Sequence, residues 1–373
     1  MENRENNNTN TNINTNTVNS PEPVLYQWQE SCLRQWFANQ CRGTVQAVTG
    51  SGKTLLALTA ARRLEQTAET ELRVKIVVPT ETLMLQWHRA LKDFLPPPQL
   101  NSIGLRGGGR KAPPDCKYMV YVINSARYEL ARQILAELKE GKSVLLIADE
   151  CHHYTSGQNQ LIFEFLPYIQ PYGKHFFSLG LSATLPSGQA GRYLSSVLGD
   201  KIYNYGMAEA SDKNTICPYD IYHISLSFRW EEKEEYQELS DRMAVLYSRL
   251  LSSHPMLGRM EQKERYDLLK TLTGDKDRKT AETAAQYMTL SYKRKSLVCL
   301  ASDRLGCAYH LVKLLGTHDK ILIFSERIRQ AEELYSLLES RYPGRVGRYH
   351  SQLGQLANKN ALDRFRTGDI RIL

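Results

Sequence analysis

The sequence lacks several features that would each indicate a particular class of protein. Its seven cysteines are an odd number and form no Cys-x-x-Cys pair, which argues against a disulfide scaffold or a zinc ribbon and favours a reducing compartment. No apolar run is long enough to cross a bilayer, and the first residues contain no charged stretch followed by an apolar one, as a signal peptide has. We therefore expect a cytoplasmic protein that has no membrane partner.

What is present is the composition of a globular chain with a moderate excess of positive charge. Hydrophobic residues make up 42% and charged residues 24% of the 373 positions, and this length corresponds to roughly two domains of ordinary size. The net charge of +8 fits a polyanionic partner, but a basic enzyme without such a partner carries the same charge.

The chain changes character along its length. Residues 1–20 consist mainly of Asn, Thr and Glu, which cannot bury apolar surface, so this tail is predicted to be disordered. We expect a first domain over residues 21–215, a linker and helical segment over 216–315, and a partial second domain over 316–373.

Short apolar runs alternate with helical spacing in the first domain. Such alternation predicts an α/β fold in which a parallel sheet is covered by helices on both faces, and such sheets bind ligands at the carboxyl ends of their strands. The predicted strands are Val74–Pro79, Met119–Ile123, Val144–Ala148 and Phe176–Leu181, and the predicted helices are Thr54–Thr67 and Thr82–Phe94.

A helical pattern dominates residues 231–315. Its first apolar stripe consists of Tyr236, Leu239, Met243, Leu246 and Leu250. This stripe either packs on its own domain or binds a partner, and packing is the more frequent role of such a stripe. Further strands are predicted at Lys320–Phe324, at Arg345–Tyr349 and from Ile370 onward.

One glycine-rich segment has the residues that binding of a triphosphate requires. It reads Ala47-Val48-Thr49-Gly50-Ser51-Gly52-Lys53-Thr54, with Ala47 where the general motif usually has Gly. Glycines let backbone N–H groups turn toward phosphate oxygens, and the helix that follows adds its positive amino end. Lys53 supplies a charge for the β and γ phosphates, and Thr54 supplies a hydroxyl for Mg²⁺.

A second polar segment follows a predicted strand. Asp149 can hold Mg²⁺ there, and Glu150 can polarise the water that attacks a phosphate. Cys151, His152 and His153 come next, but adjacent residues do not easily converge on one metal ion, and no fourth ligand is nearby. The segment therefore predicts an ATPase site rather than a metal site of its own.

Together these segments resemble motifs I and II of the superfamily-two helicases, the DEAD/DEAH-box class, with Asp149–His152 as a DExH form of motif II. Four further segments are similar to motifs of the family and occur in the family's order. They are Gln29 in the adenine-reading element, Pro79-Thr80 with Gln86-Trp87 in motif Ia, Asn124-Ser125 in motif Ic, and Ser182-Ala183-Thr184 in motif III. The resemblance covers Leu25–Leu373 and implies two RecA-like P-loop NTPase domains in tandem.

The resemblance implies a role for each matching residue, and it implies ATP and Mg²⁺ as cofactors. ATP is expected at Gln29, Thr49, Gly50, Ser51, Gly52, Lys53 and Thr54, with Lys53, Asp149 and Glu150 in catalysis and Thr54 and Asp149 on the metal. Three residues are expected to couple the nucleotide site to the bound nucleic-acid strand: His152, Ser182 and Thr184. Nucleic acid is expected at Pro79, Thr80, Gln86, Asn124, Ser125, Ser325 and His350.

The form of three motifs resembles one branch of the family. The Trp28-Gln29 element, the Pro-Thr-x-x-Leu-x-x-Gln-Trp form of motif Ia and the Asp-Glu-Cys-His-His form of motif II are similar to those of double-strand DNA translocases and of repair or restriction helicases. That resemblance implies ATP-driven movement on DNA. Two alternatives stay open: an RNA helicase, and a subunit that binds ATP or nucleic acid without turnover of its own.

The second domain matches the family only in part. Ile321–Glu326 resembles motif IV, and Asp363–Gly368 resembles the helix end that precedes motif V. Motifs V and VI do not follow, so we expect a piece of a longer helicase, or a split or degenerate copy. In the family, motif VI supplies arginines to the γ-phosphate, which implies that a protein partner or a missing C-terminal part supplies the arginine finger here.

Overall fold

The computed structural model describes residues 23–316 and 319–373, which fall into two compact units divided between Asp220 and Ile221. The predicted disordered tail, residues 1–20, lies outside the described residues. The predicted domain boundaries at 215/216 and 315/316 stay predictions. No helix in the described ranges combines the length and the apolar character that a bilayer crossing needs.

The first unit is built on an eight-stranded sheet. Its strands are β1 (Arg42–Ala47), β2 (Leu72–Val78), β3 (Ile103–Gly107), β4 (Arg110–Lys111), β5 (Tyr118–Val122), β6 (Ser143–Asp149), β7 (Phe176–Ser182) and β8 (Lys201–Tyr205). Its helices are α1 (Gln27–Ala38), α2 (Lys53–Thr67), α3 (Glu81–Phe94), α4 (Ile123–Lys139), α5 (Gly188–Leu198) and α6 (Met207–Asp212). The strands and helices predicted in this unit are confirmed to within one or two residues at their ends.

The sheet has two apolar faces because successive residues of its buried strands point to opposite sides. On β6, Leu145 and Ile147 pack with α1, α2 and α3, whereas Val144, Leu146 and Ala148 pack with α4 and α5. All residues of β5 and β6 are buried. This confirms the predicted α/β fold with helices on both faces of the sheet.

The strand order places the polar strand ends in one row. The order is β4-β3-β5-β2-β6-β7-β1-β8, and every pair of neighbouring strands is parallel except β3 and β4. The carboxyl ends of β5, β2, β6, β7 and β1 therefore lie side by side along one edge of the sheet. Each segment that the sequence marks as functional in this unit follows one of these five ends, apart from Gln29 on α1.

The second unit is mainly helical. Its helices are α7 (Trp230–Ser253), α8 (Gln262–Leu272), α9 (Arg278–Leu300), α10 (Ser302–Leu315), α11 (Ile328–Arg341) and α12 (Gln355–Thr367). Four of the five residues in the apolar stripe of α7 are buried inside this unit, whereas Tyr236 is partly exposed. Leu239, Met243 and Leu246 cluster with Leu290 of α9, and Leu250 packs with residues of α8 and α9. The prediction that this stripe packs on its own domain is confirmed.

The strands predicted in the second unit are short. Ile372 forms parallel bridges with Ile321 on one side and with Val346 on the other. The backbone N–H of Leu373 donates to the carbonyl of Ile321 at 3.0 Å, and that of Gly347 donates to the carbonyl of Ile372 at 2.7 Å. Residues 321, 346 and 372 thus mark three parallel segments, which pack against α10 and α11.

Candidate functional site

The loop between β1 and α2 has the backbone shape of a phosphate cradle. Gly50 has a φ of +85° and Gly52 a φ of +91°, which are left-handed conformations that residues with a side chain rarely adopt. Gly52 is the N-cap of α2, so the unpaired N–H groups and the positive end of that helix face the loop. Left-handed glycines before a helix amino end are the features that anion binding by a backbone loop requires.

The side chain of Gln29 on α1 is hydrogen-bonded to this loop. The Gln29 side chain is fully buried, and its Nε2 donates to the Gly52 carbonyl at 2.9 Å. Its Oε1 accepts from the backbone N–H of Tyr26 at 2.8 Å. A Cβ on Gly52 would lie 2.7 Å from Gln29 Nε2. The neighbouring Trp28 belongs to the core, where it stacks on Tyr205 with ring centroids 4.6 Å apart.

Lys53 and the acidic pair lie close to each other. The Lys53 ammonium donates to the carbonyls of Ala47 at 2.9 Å and Val48 at 3.3 Å. Burial lowers the pKa of Lys53, and the charges of Glu150 and Asp149 oppose that shift. The fold therefore brings the phosphate loop and the acidic pair together, as the two motifs predict, although about a hundred residues separate them in the sequence.

Asp149 ends β6 as a buried carboxylate with two N–H donors. Its Oδ2 accepts from the Trp87 indole Nε1 at 2.7 Å, and its Oδ1 accepts from the backbone N–H of Glu150 at 3.0 Å. Burial raises the pKa of Asp149 although the hydrogen bond from Trp87 acts in the opposite direction. Trp87 belongs to the segment that resembles motif Ia, and the sequence does not indicate its contact with the acidic pair.

Tyr154 is a second residue without a predicted role. Its side chain is fully buried, and its hydroxyl lies 2.6 Å from the carbonyl of Asp149 and 2.8 Å from that of Val77. One hydroxyl thus joins the carboxyl ends of β6 and β2. A buried tyrosine usually finds such a partner for its hydroxyl, but the sequence does not indicate which one.

Glu150 has an unusual backbone conformation. Its φ of +48° and ψ of +49° are left-handed, a conformation that costs a residue with a side chain about 1–2 kcal/mol. Its carboxylate is partly exposed, and Oε2 lies 3.4 Å from Nδ1 of His152. The strained turn thus separates the buried Asp149 from a carboxylate that water can reach.

His152, Ser182 and Thr184 form a chain of polar contacts from the acidic segment to the end of β7. Ser182 Oγ donates to the Thr184 carbonyl at 2.7 Å and lies 2.9 Å from His152 Nδ1. Because a hydroxyl has one proton, Ser182 accepts from His152, which places the imidazole proton on Nδ1. Burial lowers the pKa of His152, so the ring is neutral at pH 7. The three residues predicted to act in coupling are therefore in contact.

The oxygen donors near the loop suit magnesium. Thr54 opens α2 beside Lys53, and Asp149 offers a carboxylate; Mg²⁺ prefers such hard oxygen ligands and often takes only one or two from the protein. The described residues contain no cluster of three or more His, Cys, Asp or Glu side chains that could hold a metal. Burial raises the pKa of Cys151 to about 12, so this thiol stays protonated and is a poor ligand.

The candidate nucleic-acid residues of the first unit follow β2 and β5. Thr80 is exposed and caps α3, where its hydroxyl accepts from the backbone N–H of Leu83 at 3.3 Å. Pro79 precedes it, and Asn124 and Ser125 lie in the first turn of α4. Because β2 and β5 are neighbours, these residues share one half of the row of strand ends, whereas the phosphate loop and Ser182 share the other half. Gln86 is exposed on α3.

The two candidate residues of the second unit have partners within that unit. Ser325 is exposed, and its hydroxyl lies 3.1 Å from Oε1 of Gln330. The imidazole of His350 pairs with the carboxylate of Glu332, and its backbone carbonyl accepts from Asn358 Nδ2 at 3.0 Å. His350 is therefore held in place by two side chains.

Two family models match separate parts of the chain. The model of the type III restriction enzyme res subunit matches residues 22–187, and the model of the helicase conserved C-terminal domain matches residues 306–373. The first match contains the phosphate loop, the acidic pair and Ser182. The second contains Ser325 and His350.

Similar proteins occur among curated sequences and solved structures. Two uncharacterised proteins from two strains of Mycobacterium tuberculosis are 32% identical over 133 residues, which is 35% of this chain and 21% of each relative. The chain thus spans about a fifth of the length of these relatives. The Hef helicase domain of Pyrococcus furiosus gives a TM-score of 0.53 at 15% identity, covering 93% of this chain and 84% of that one. Dbp5 of S. cerevisiae, solved bound to RNA and ADP BeF3, gives 0.50 at 13% identity, covering 94% and 69%. At these identities the structural likeness concerns the fold alone.

Proposed function

We propose that this chain, which belongs to the superfamily-two helicases, is an ATP-driven motor that moves on nucleic acid and prefers DNA as its track. The observation that carries the proposal is the row of strand ends. A phosphate cradle with Lys53, the acidic pair Asp149 and Glu150, and two sets of exposed polar strand ends lie along one edge of a single sheet. Such an edge is where parallel sheets bind ligands.

In this proposal, different residues of the first unit bind the phosphates, hold the metal ion and orient the water during ATP hydrolysis. The N–H groups from Thr49 to Gly52 and the ammonium of Lys53 bind the phosphates, and Thr54 and Asp149 hold Mg²⁺. When bound, Mg²⁺ neutralises charge on the phosphate oxygens. The partly exposed Glu150 carboxylate orients a water for in-line attack on the γ-phosphorus. The new P–O bond forms as the bond to the β,γ-bridging oxygen breaks, and the proton of the water passes to the Glu150 carboxylate, which leaves ADP and phosphate.

The contacts between the strand ends supply the coupling in this proposal. The imidazole of His152 lies next to the carboxylate of Glu150 and also contacts the hydroxyl of Ser182. Trp87 connects Asp149 to α3, whose first turn begins after Thr80. A change in charge at the nucleotide can therefore move the groups proposed to hold the track. Conformational changes that accompany ATP binding and hydrolysis then move the chain along a strand.

DNA is proposed over RNA for two reasons. The acidic segment reads Asp-Glu-Cys-His rather than Asp-Glu-Ala-Asp, and the family model that matches residues 22–187 describes a subunit of a restriction enzyme. The free thiols of all seven cysteines fit the reducing cytoplasm as the place of action. RNA is the alternative that the experiment below also tests.

A second candidate function is binding of ATP and nucleic acid without turnover by this chain alone. The observation that favours it concerns the arginines of α12. Arg364 donates to the carbonyl of Gly344, and Arg366 pairs with Asp363, so both are engaged within the second unit. An arginine finger contributes about 10³–10⁵ in rate in related enzymes. In this case a protein partner, or a further part of the protein, supplies that arginine.

Steady-state ATP hydrolysis tests the proposal. The rate is measured without nucleic acid and with duplex DNA, single-stranded DNA or RNA of matched sequence, beside Lys53→Ala and Glu150→Gln. We expect DNA to stimulate the wild type most, Lys53→Ala to lose nucleotide binding, and Glu150→Gln to bind nucleotide without turnover. Measurable hydrolysis at equal rates in the wild type and in Lys53→Ala would exclude the proposed ATPase site. Nucleotide binding without turnover in the wild type would favour the second candidate, and stimulation by RNA alone would reassign the track.

A further inference from the structure

The second unit contains a cavity of about 350 Å³ that is lined by none of the predicted site residues. It lies between α7, α9, the start of α10 and the start of α11. Its polar lining consists mainly of Tyr236, Arg294, Lys295, Arg304, Glu326 and Gln330. All of these residues belong to the second unit, so the cavity is formed within one compact body.

The lining carries an excess of positive charge. Three cationic side chains, those of Arg294, Lys295 and Arg304, face a single carboxylate, that of Glu326. Lys295 pairs with Glu326 at 2.8 Å, which leaves two guanidinium groups without a carboxylate in the lining. Within the described ranges the side chain of Arg304 makes no ion pair. The cavity therefore suits an anion.

Gln330 adds an independent sign of a ligand. Its side chain is 7% exposed, and its Nε2 has no hydrogen-bond partner among the described residues. Its Oε1 is already engaged with the hydroxyl of Ser325 at 3.1 Å. A buried amide nitrogen is costly to leave without an acceptor, and an oxygen of a ligand in the cavity can provide one. Gln330 also lies in the first turn of α11, where unpaired N–H groups favour negative charge.

We propose that this cavity binds one phosphodiester group of a nucleic-acid strand, with Arg304 and Gln330 as its donors. The guanidinium of Arg304 matches the two non-bridging oxygens of a phosphodiester, and the amide of Gln330 supplies a neutral donor to one of them. Arg294, which lies over the ring of Tyr236 at 5.5 Å, adds charge at the wall. This inference deepens the proposed function and rests on it, because the strand is the track of the motor.

Binding of a fluorescein-labelled oligothymidine tests the site. The dissociation constant of the full chain is measured by anisotropy without nucleotide over a range of KCl concentrations. The variants are Arg304→Ala, Arg304→Lys and Gln330→Leu, with Arg278→Ala as the matched control. Arg278 lies on α9 with 91% of its side chain exposed, and its loss changes the net charge equally. Thermal unfolding followed by circular dichroism verifies that each variant folds.

A phosphate contact has a distinct salt signature. We expect Arg304→Ala to weaken binding about tenfold and to reduce the slope of log K against log salt by about 0.7, because one phosphate contact is lost. Arg304→Lys is expected to keep that slope. Gln330→Leu is expected to weaken binding several-fold at an unchanged slope, since the amide is neutral. Arg278→Ala is expected to stay within about twofold of the wild type.

The outcomes separate this site from the motor function. If the wild type binds the oligonucleotide and Arg304→Ala behaves like Arg278→Ala, the site is refuted while the proposed function stands. If the wild type binds no nucleic acid, both are refuted. Competition by inorganic phosphate tests the other source of the same anion. If inorganic phosphate displaces the oligonucleotide at a concentration equal to that of the oligonucleotide's own phosphate groups, the cavity binds a free phosphate ion. That result would overturn the proposal.

Discussion

Trp87 connects two segments that the sequence assigns to different tasks. Its indole lies on α3, after the strand end proposed to contact nucleic acid, and donates to the carboxylate proposed to hold Mg²⁺. Both side chains are buried, so this hydrogen bond to a charged group is made away from water, where such bonds are strong. The indole therefore fixes the orientation of Asp149.

We predict that Trp87→Phe raises the Mg²⁺ concentration needed for nucleotide binding about tenfold, because it removes the N–H donor and keeps most of the apolar volume. The measurement is the affinity for a fluorescent ATP analogue as a function of Mg²⁺, together with the hydrolysis rate. Trp36→Phe is the control, since the Trp36 indole makes a similar buried bond of 2.9 Å to the carbonyl of Ser178. Equal Mg²⁺ dependence in both variants would show that Trp87 has only a packing role.

His152 gives the proposed site a defined response to acid. Burial lowers the pKa of His152 from its ordinary value, so the ring gains a proton only at acidic pH. The imidazolium then attracts the nearby Glu150 carboxylate and withdraws it from water. We predict that hydrolysis falls at acidic pH, below the ordinary titration range of histidine, and that His152→Asn removes this part of the profile. The pH dependence of kcat for both proteins measures it, and an unchanged acid limb in His152→Asn would assign the fall to another group.

At the scale of elements, the sequence predicts strands that are mostly apolar better than strands in which polar and apolar residues are mixed. β5 and β6 are near-continuous apolar runs, as is typical of parallel strands covered on both faces, and β2 interrupts its apolar residues only with Arg73 and Lys75. β1 reads Arg-Gly-Thr-Val-Gln-Ala and is not among the predicted strands, although it lies between β7 and β8. The pairing with its neighbours makes it a strand, and short-range patterns do not contain that information.

Short-range sequence patterns also leave long-range contacts of the candidate site unpredicted. The motif order predicts which strand ends meet, because parallel strands place their carboxyl ends at one edge. The sequence does not reveal that Trp87 bonds to Asp149 across 62 positions or that Tyr154 reaches Val77 across 77. These contacts depend on the packing of α3 and of the short 3-10 helices after β6, whose positions follow from tertiary structure.

The buried pair of Lys75 on β2 and Glu137 on α4 holds an element to the sheet. The two charges are 2.6 Å apart, and burial lowers the pKa of Lys75 and raises that of Glu137. We predict that Glu137→Leu lowers the free energy of unfolding by about 3–5 kcal/mol, since it leaves an unpaired buried charge. Lys75→Met combined with Glu137→Leu is expected to recover most of that loss.

Denaturant unfolding of the single and double variants measures the effect. The single variant also has a pH signature. Its folded state binds the lysine proton less well than its unfolded state, so its stability is expected to increase as pH rises toward the ordinary pKa of lysine. If the double variant is as unstable as Glu137→Leu, the loss does not come from an unpaired buried charge on Lys75. The prediction would then be wrong.

At the scale of the whole molecule, an exposed extended segment leads from the first unit into the second. Residues 217–229 form no regular secondary structure, and Ile221, Tyr222 and Ile224 are largely exposed. Exposed segments of this kind are preferred sites of proteolysis. We predict that limited chymotrypsin cleaves first between Tyr219 and Trp230, and that the product ending there still binds Mg²⁺ and ATP. Mass spectrometry of the first products tests it, and first cleavage inside α7 or α9 would contradict it.

The hydrogen bond of Trp87 also has an optical consequence. The emission of an indole depends on the charge next to its ring, and here a carboxylate lies 2.7 Å from its nitrogen. A cation that neutralises Asp149 changes the electric field at that ring at once. The wavelength of Trp87 emission is therefore expected to report the arrival of a cation at the proposed nucleotide site without any attached dye.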